Sequence, residues 1–158
     1  MTVKIRQTFI AMFASAVCSG SIGASEIPDA PGTQIWISDR RLHLDCEGQG
    51  APTVVLEAGL GGSSLEWREI QQSLSALTRV CSYDRAGYGW SDPAYNPRTA
   101  LNAAKDLEKL LGYGSVRAPY LMVGHSFGGL TARMFATRNP NRMAGLVLVD
   151  STHEAQFE

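Results

Sequence analysis

A chain of 158 residues with 44% hydrophobic residues is long enough for one ordinary domain with a buried core. Its 14 basic and 15 acidic residues leave a net charge of −1. No basic patch points to nucleic acid and no acidic run points to a solvated tail, so both of those function classes are excluded.

Lys4 and Arg6 precede an apolar run over residues 9–17, and the first acidic residue is Glu26, so residues 1–25 read as a secretory signal peptide. The run is too short to span a bilayer. Gly23, Ala24 and Ser25 offer a region for cleavage. Two rivals stay open: a mitochondrial presequence, and a lipoprotein signal ending at Cys18, where Ser15 and Val17 fit the usual pattern poorly. The expectation is export in a bacterium, to the periplasm or the medium, with the signal as the sole contact with a membrane.

Residues 26–158 then alternate between strand and helix patterns. Residues 34–38 and 41–47 read as a hairpin around Asp39-Arg40, and residues 54–57 as a buried strand after the Gly48-Gln49-Gly50 turn. Trp67, Ile70, Leu74 and Leu77 fall on one helical face, and residues 79–83 form another short strand pattern. Pro93, Asn96 and Pro97 mark a loop before a second helical stripe of Leu101, Ala104, Leu107 and Leu111. A strand pattern from Pro119 leads into Val123-Gly124-His125-Ser126-Phe127-Gly128-Gly129. Phe127, Leu130, Met134 and Phe135 form the next stripe, which ends near Asn139-Pro140, and residues 145–150 read as a last strand. There is no internal repeat and no low-complexity segment. Strands alternating with helices predict an α/β fold, a doubly wound and mostly parallel sheet covered on both faces.

Gly124-His125-Ser126-Phe127-Gly128 is a G-x-S-x-G pattern between a buried-type strand and a helix. At such a bend the backbone of the serine is strained, and any side chain at the two glycines would collide with neighbouring chain. Ser126 would then project its hydroxyl from the sheet as a nucleophile. The blander alternative is a glycine-rich turn with an incidental serine; the strand–turn–helix context favours the nucleophile.

Two further blocks stand in order before this one. They are Thr53-Val54-Val55-Leu56-Glu57-Ala58-Gly59-Leu60-Gly61-Gly62 and Tyr83-Asp84-Arg85-Ala86-Gly87-Tyr88-Gly89-Trp90-Ser91-Asp92. With the serine elbow, they make the chain resemble the α/β-hydrolase superfamily, in its serine esterase, lipase and peptidase-like branch, from about Gln34 onwards. The resemblance implies that the first block is the third strand and its oxyanion loop, and that the second follows the fourth strand. It implies backbone N–H donors for a developing oxyanion at Leu60 and Phe127, with Gly59, Gly61 and Gly62 allowing close approach. Ala58 departs from the histidine that many members carry before the glycine. A phosphate cradle is the weaker reading of this loop, because no Gly-Lys-Ser/Thr follows.

Ser126 needs a histidine to take its proton and a carboxylate to orient that histidine. His43, His125 and His153 are the candidates, and each reads more readily as structural or solvent-facing. The resemblance allows Asp150, after the sixth strand, as the acid, although capping the strand is the simpler role. Asp84 and Arg85 would brace loops around the site, Ser91 and Asp92 would be turn residues, and Glu57 would be structural. Epoxide hydrolases and haloalkane dehalogenases of this superfamily carry aspartate at the nucleophile position, so Ser126 argues against both.

The resemblance also carries expectations about extent. Residues 26–158 would be an incomplete domain truncated after about the sixth strand, lacking the C-terminal strands, the cap and the catalytic histidine. A chain ending at Glu158 would leave that strand open to self-pairing. The expected activity is that of a carboxylesterase-like serine hydrolase, cleaving the ester or amide bond of a small acyl substrate through an acyl-enzyme. No metal or organic cofactor is expected, and the chain alone should be inactive. The alternative is a non-catalytic, vestigial binding protein on the same fold. In the resembled fold the second and fourth strands are antiparallel neighbours, which implies that Cys46 and Cys81 meet, and export would favour a disulfide. Two separate buried thiols are the alternative.

Overall fold

The computed structural model describes residues 29–157, so the signal peptide expected at the N-terminus lies outside the described residues. Six strands and three α-helices follow in order: β1 (Thr33–Trp36), β2 (Arg41–Glu47), β3 (Thr53–Glu57), α1 (Arg68–Ser75), β4 (Val80–Tyr83), α2 (Ala100–Tyr113), β5 (Tyr120–His125), α3 (Phe127–Arg138) and β6 (Met143–Val149). They form one sheet in the order β1-β2-β4-β3-β5-β6. β1 and β2 pair antiparallel, as do β2 and β4, while β4, β3, β5 and β6 run parallel. This is the mostly parallel α/β sheet that the alternating pattern predicts.

Position in the sheet explains composition. β3 lies between two parallel neighbours and buries all five of its residues, so Val54, Val55 and Leu56 fill both faces at once. On one face α2 and α3 press Leu107, Leu111 and Phe135 onto Val55, Tyr120 and Met122. On the other, Val54, Leu56 and Val80 meet Trp67 and Leu74 beneath α1. Each fully buried aliphatic or aromatic side chain contributes on the order of 1.5–3 kcal/mol.

Local signals set the helix ends. The Thr99 hydroxyl accepts a hydrogen bond from the Asn102 N–H at 3.2 Å and so caps α2. α3 stops at Arg138, ahead of Pro140. The stripe expected on α1 is only partly observed: Trp67 is buried, but Ile70 and Leu77 are exposed. α1 ends at Ser75, before Leu77, and the buried position goes to Gln71, whose amide donates to Asp45. Leu101 is likewise on the outer edge of α2, and Leu130 and Met134 are half-buried.

Cys46 and Cys81 stand directly opposite each other in the β2–β4 ladder, with Cα atoms 4.1 Å apart, and are joined as a disulfide. At the other side of the sheet, β6 pairs with β5 alone among the described residues, and Leu146, Val147, Leu148 and Val149 are all exposed.

Candidate active site

Ser126 sits at the bend between β5 and α3 with φ 51° and ψ −124°, a conformation that costs a non-glycine residue energy and persists only where its surroundings fix it. Those surroundings are visible. Its N–H donates to the Val149 carbonyl at 3.1 Å, and its carbonyl accepts from the Gly129 and Thr152 N–H groups at 3.0 and 3.1 Å. A Cβ at Gly124 would lie 2.7 Å from the Gly128 carbonyl oxygen, and one at Gly128 would strike the carbonyl oxygens of Glu57 and Ala58. The helix therefore starts pressed against the ends of β5 and β3. The Ser126 hydroxyl makes no hydrogen bond to any described residue and is left available.

The loop after β3 runs beside this bend. A Cβ at Gly59 would stand 3.5 Å from the Ser126 Cβ and 3.1 Å from His125 Nδ1. Leu60 is 70% exposed, and Gly61 follows with φ 81°, a left-handed conformation suited to glycine. Phe127 occupies the first position of α3, where its N–H lacks an intrahelical acceptor. A cavity of about 40 Å³ opens beside Leu60 and Phe127, with Tyr88, Arg98 and Asn102 on its wall.

A buried ion pair holds the loop from beneath. Arg85 donates to the Glu57 carboxylate and to the carbonyl oxygens of Ala58 and Gly59, and Glu57 also accepts from the Tyr83 hydroxyl. The guanidinium carbon lies 5.1 Å from the Tyr88 ring centre and 5.6 Å from that of Phe127. Burial, the largest single influence, would lower the Arg85 pKa; the charge and hydrogen bond of Glu57 together with the Tyr83 and Tyr88 phenols more than offset it, so the pKa is raised and the guanidinium stays charged. Burial and the same carboxylate hold the Tyr83 phenol well above its ordinary pKa, which keeps it a donor.

A second polar cluster resembles a catalytic triad in composition but not in geometry. Asp84 lies 3.0 Å from His43 Nδ1, and Ser64 Oγ is 3.5 Å from the same nitrogen. His43 Nε2 faces the Pro31 carbonyl, so the ring has no free nitrogen through which to pass a proton from serine to carboxylate. Asp84 also accepts from the N–H groups of Ser64 and Trp90, at 2.7 and 2.9 Å. Burial opposes charge on both members. Hydrogen bonds more than offset it, so the His43 pKa is raised and the Asp84 pKa lowered. This pair ties the loops after β3 and β4 to β2, the bracing role expected of Asp84. The part played by His43 was not legible, because its partners are distant in sequence.

The remaining residues are open. Asp150 follows Val149, the partner of His125 in the β5–β6 ladder, so it lies at the same end of the sheet as Ser126. Its side chain is exposed and bonds to no described residue. His153 is exposed, with Nδ1 accepting from the Ala155 N–H. No described histidine is hydrogen-bonded to Ser126 or Asp150.

Residues 52–158 match the family described as the alpha/beta hydrolase fold. The chain belongs to this family. It is 38% identical over 104 residues to the protein YqjL of Bacillus subtilis, a match covering 66% of this chain and 41% of that one. Among solved structures, the epoxide hydrolase CorEH superposes with a TM-score of 0.70 at 28% identity, over 75% of this chain and 41% of that one. A thermophilic esterase from Thermogutta terrifontis gives 0.69 at 26% identity, over 78% and 46%. The chain thus spans less than half the length of each of these hydrolase-fold relatives.

Proposed function

We propose that this chain is the nucleophile-bearing part of a carboxylesterase-like serine hydrolase, which cleaves an ester or amide bond through an acyl-enzyme on Ser126. The observation that carries this reading is the left-handed backbone of Ser126, clamped at the strand–helix bend with its hydroxyl free beside the Gly59–Gly62 loop. The esterase among the structural relatives supports the reaction class.

In the proposed step the Ser126 hydroxyl oxygen bonds to the substrate's carbonyl carbon while a histidine outside the described residues takes the hydroxyl proton. The carbonyl electron pair moves to oxygen, where the N–H groups of Leu60 and Phe127 receive it. Collapse expels the alcohol or amine with the histidine's proton, and water then releases the acid. Asp150, at the same end of the sheet, is the carboxylate proposed to orient that histidine. The cavity beside Leu60 and Phe127 has room for a small group. Residues 1–25 are proposed to direct export, and the Cys46–Cys81 bridge fits an oxidising compartment.

A second reading, a non-catalytic binding protein, is favoured by the lack of any histidine bonded to Ser126 among the described residues. Fluorophosphonate labelling of the full-length protein separates the two. The hydrolase reading expects labelling that Ser126→Ala abolishes, with p-nitrophenyl acetate turnover falling about 10⁴-fold or more. It also expects no Ser126-dependent turnover from the 158 residues alone. An unlabelled full-length protein would favour the binding protein.

A further inference from the structure

We infer that Arg85 is the positioning residue that orients the Leu60 N–H as an oxyanion donor, by holding the other end of the same peptide unit. The inference rests on the hydrolase reading and adds what makes its electrophilic site work.

A trans peptide is planar, with its C=O and N–H pointing in opposite directions. The cis peptides among the described residues are Ala51-Pro52 and Ala118-Pro119, so the Gly59–Leu60 peptide is trans. Its oxygen, the Gly59 carbonyl, accepts from the Arg85 guanidinium and from the Gly62 N–H at 3.2 Å. Fixing that oxygen fixes the plane, and the Leu60 N–H is directed to the opposite side. With glycine at positions 59, 61 and 62, the loop has little intrinsic preference for one peptide orientation over its flipped alternative. The flip would aim a carbonyl where the reaction needs a donor. A hydrogen bond to the carbonyl also polarises the peptide and strengthens its N–H as a donor.

The guanidinium suits this task because it is itself held on every side. Glu57, at the buried end of β3, fixes its charge, the Ala58 carbonyl takes a further N–H, and the rings of Tyr88 and Phe127 stack against it. Phe127 supplies the second proposed donor through its own N–H. Arg85 therefore touches the units that carry both donors, one through a carbonyl and the other through a ring. An ammonium at this position could keep the charge pair with Glu57, but it lacks the planar fork that reaches several acceptors at once.

The test is Arg85→Lys in the full-length protein, with cooperative unfolding checked first. The expected result is a kcat lowered about 10- to 100-fold with KM within about twofold, as for a weakened oxyanion donor. Inhibition by an aryl trifluoromethyl ketone, which forms an anionic tetrahedral adduct on the serine, should weaken by the same factor. Competitive binding of the matching methyl ketone should not change. If Arg85→Lys does not fold, Tyr88→Leu, which frees one face of the guanidinium, should show the same pattern at about two- to fivefold. Either folded variant with wild-type kcat overturns the assignment, as does a lower kcat with unchanged affinity for the trifluoromethyl ketone. A wild-type protein that fluorophosphonate does not label overturns the hydrolase reading itself, and this inference with it.

Discussion

The two sides of the candidate site are built differently. On the side of β3 and β4, Glu57, Tyr83, Asp84 and Arg85 are buried: Arg85 and Asp84 bond to the loop after β3, and Tyr83 and Arg85 both donate to Glu57. On the side of β6, Asp150 and His153 are exposed, and among the described residues no side chain connects either to the serine. The contrast matches the demands on each part. Donors that meet a developing charge must be preorganised, because reorienting them during the reaction would consume the stabilisation they provide. The proposed donors thus stand on a braced loop within the described residues, whereas no described histidine bonds to Ser126.

The covalent bridge of the braced side offers the largest test of this contrast. The β2–β4 cross-link should contribute roughly 3–4 kcal/mol in the chain-entropy model. Denaturant unfolding with and without reductant should therefore differ by about that amount, and Cys81→Ala should remove the difference. Identical midpoints would show that the bridge contributes nothing to this half of the molecule.

Next in size is the seam where α3 meets the end of β3. Gly128→Ala would drive a methyl group into the carbonyl oxygens of Glu57 and Ala58, which are backbone and cannot swing aside. A destabilisation of about 1–3 kcal/mol is expected from urea titration. Wild-type stability in this variant would mean that the elbow is less tightly seated than its geometry indicates.

The smallest effect is a dependence on pH. The folded-state pKa of His43 is raised above its ordinary 6.5, so its contribution is full below that value and fades as pH rises through the folded pKa. Asp84, lowered from 3.8, contributes above that value and loses its effect as pH falls through the folded pKa. Their combined stabilisation should be greatest between about pH 4 and 6.5 and decline on either side. Comparing melting temperatures of the wild type and His43→Asn from pH 5 to 9 reads the loss on the alkaline side directly. A difference that stays constant from pH 5 to 9 would falsify the ion-pair description.

Much of this architecture is legible in the sequence because it follows from local rules. The G-x-S-x-G pattern needs a bend where glycines admit close backbone, and the structure has that bend at Ser126. The meeting of Cys46 and Cys81 is implied not by local rules but by the resemblance, which makes β2 and β4 antiparallel neighbours. Periodicity is less informative where polar groups find distant partners. On α1 it favoured Ile70 and Leu77 for the core, but Gln71 is buried there because Asp45 supplies an acceptor. His43 and Asp84 gave no local sign of pairing, nor did Glu57 and Arg85. Each pair depends on strands that are neighbours in the sheet but separated in the chain, and hydropathy carries no information about such contacts.

The order of strands has one more consequence. β3 is flanked on both sides and buried throughout, whereas β6 has a single partner among the described residues. Local opening is rarest where backbone hydrogen bonds and apolar contacts are densest. The Gly59–Gly62 loop grows from the most enclosed strand of the described sheet, where local opening is expected to be rarest. Among the described residues the sheet thus grades from an enclosed strand at Glu57 to an exposed one at Val149.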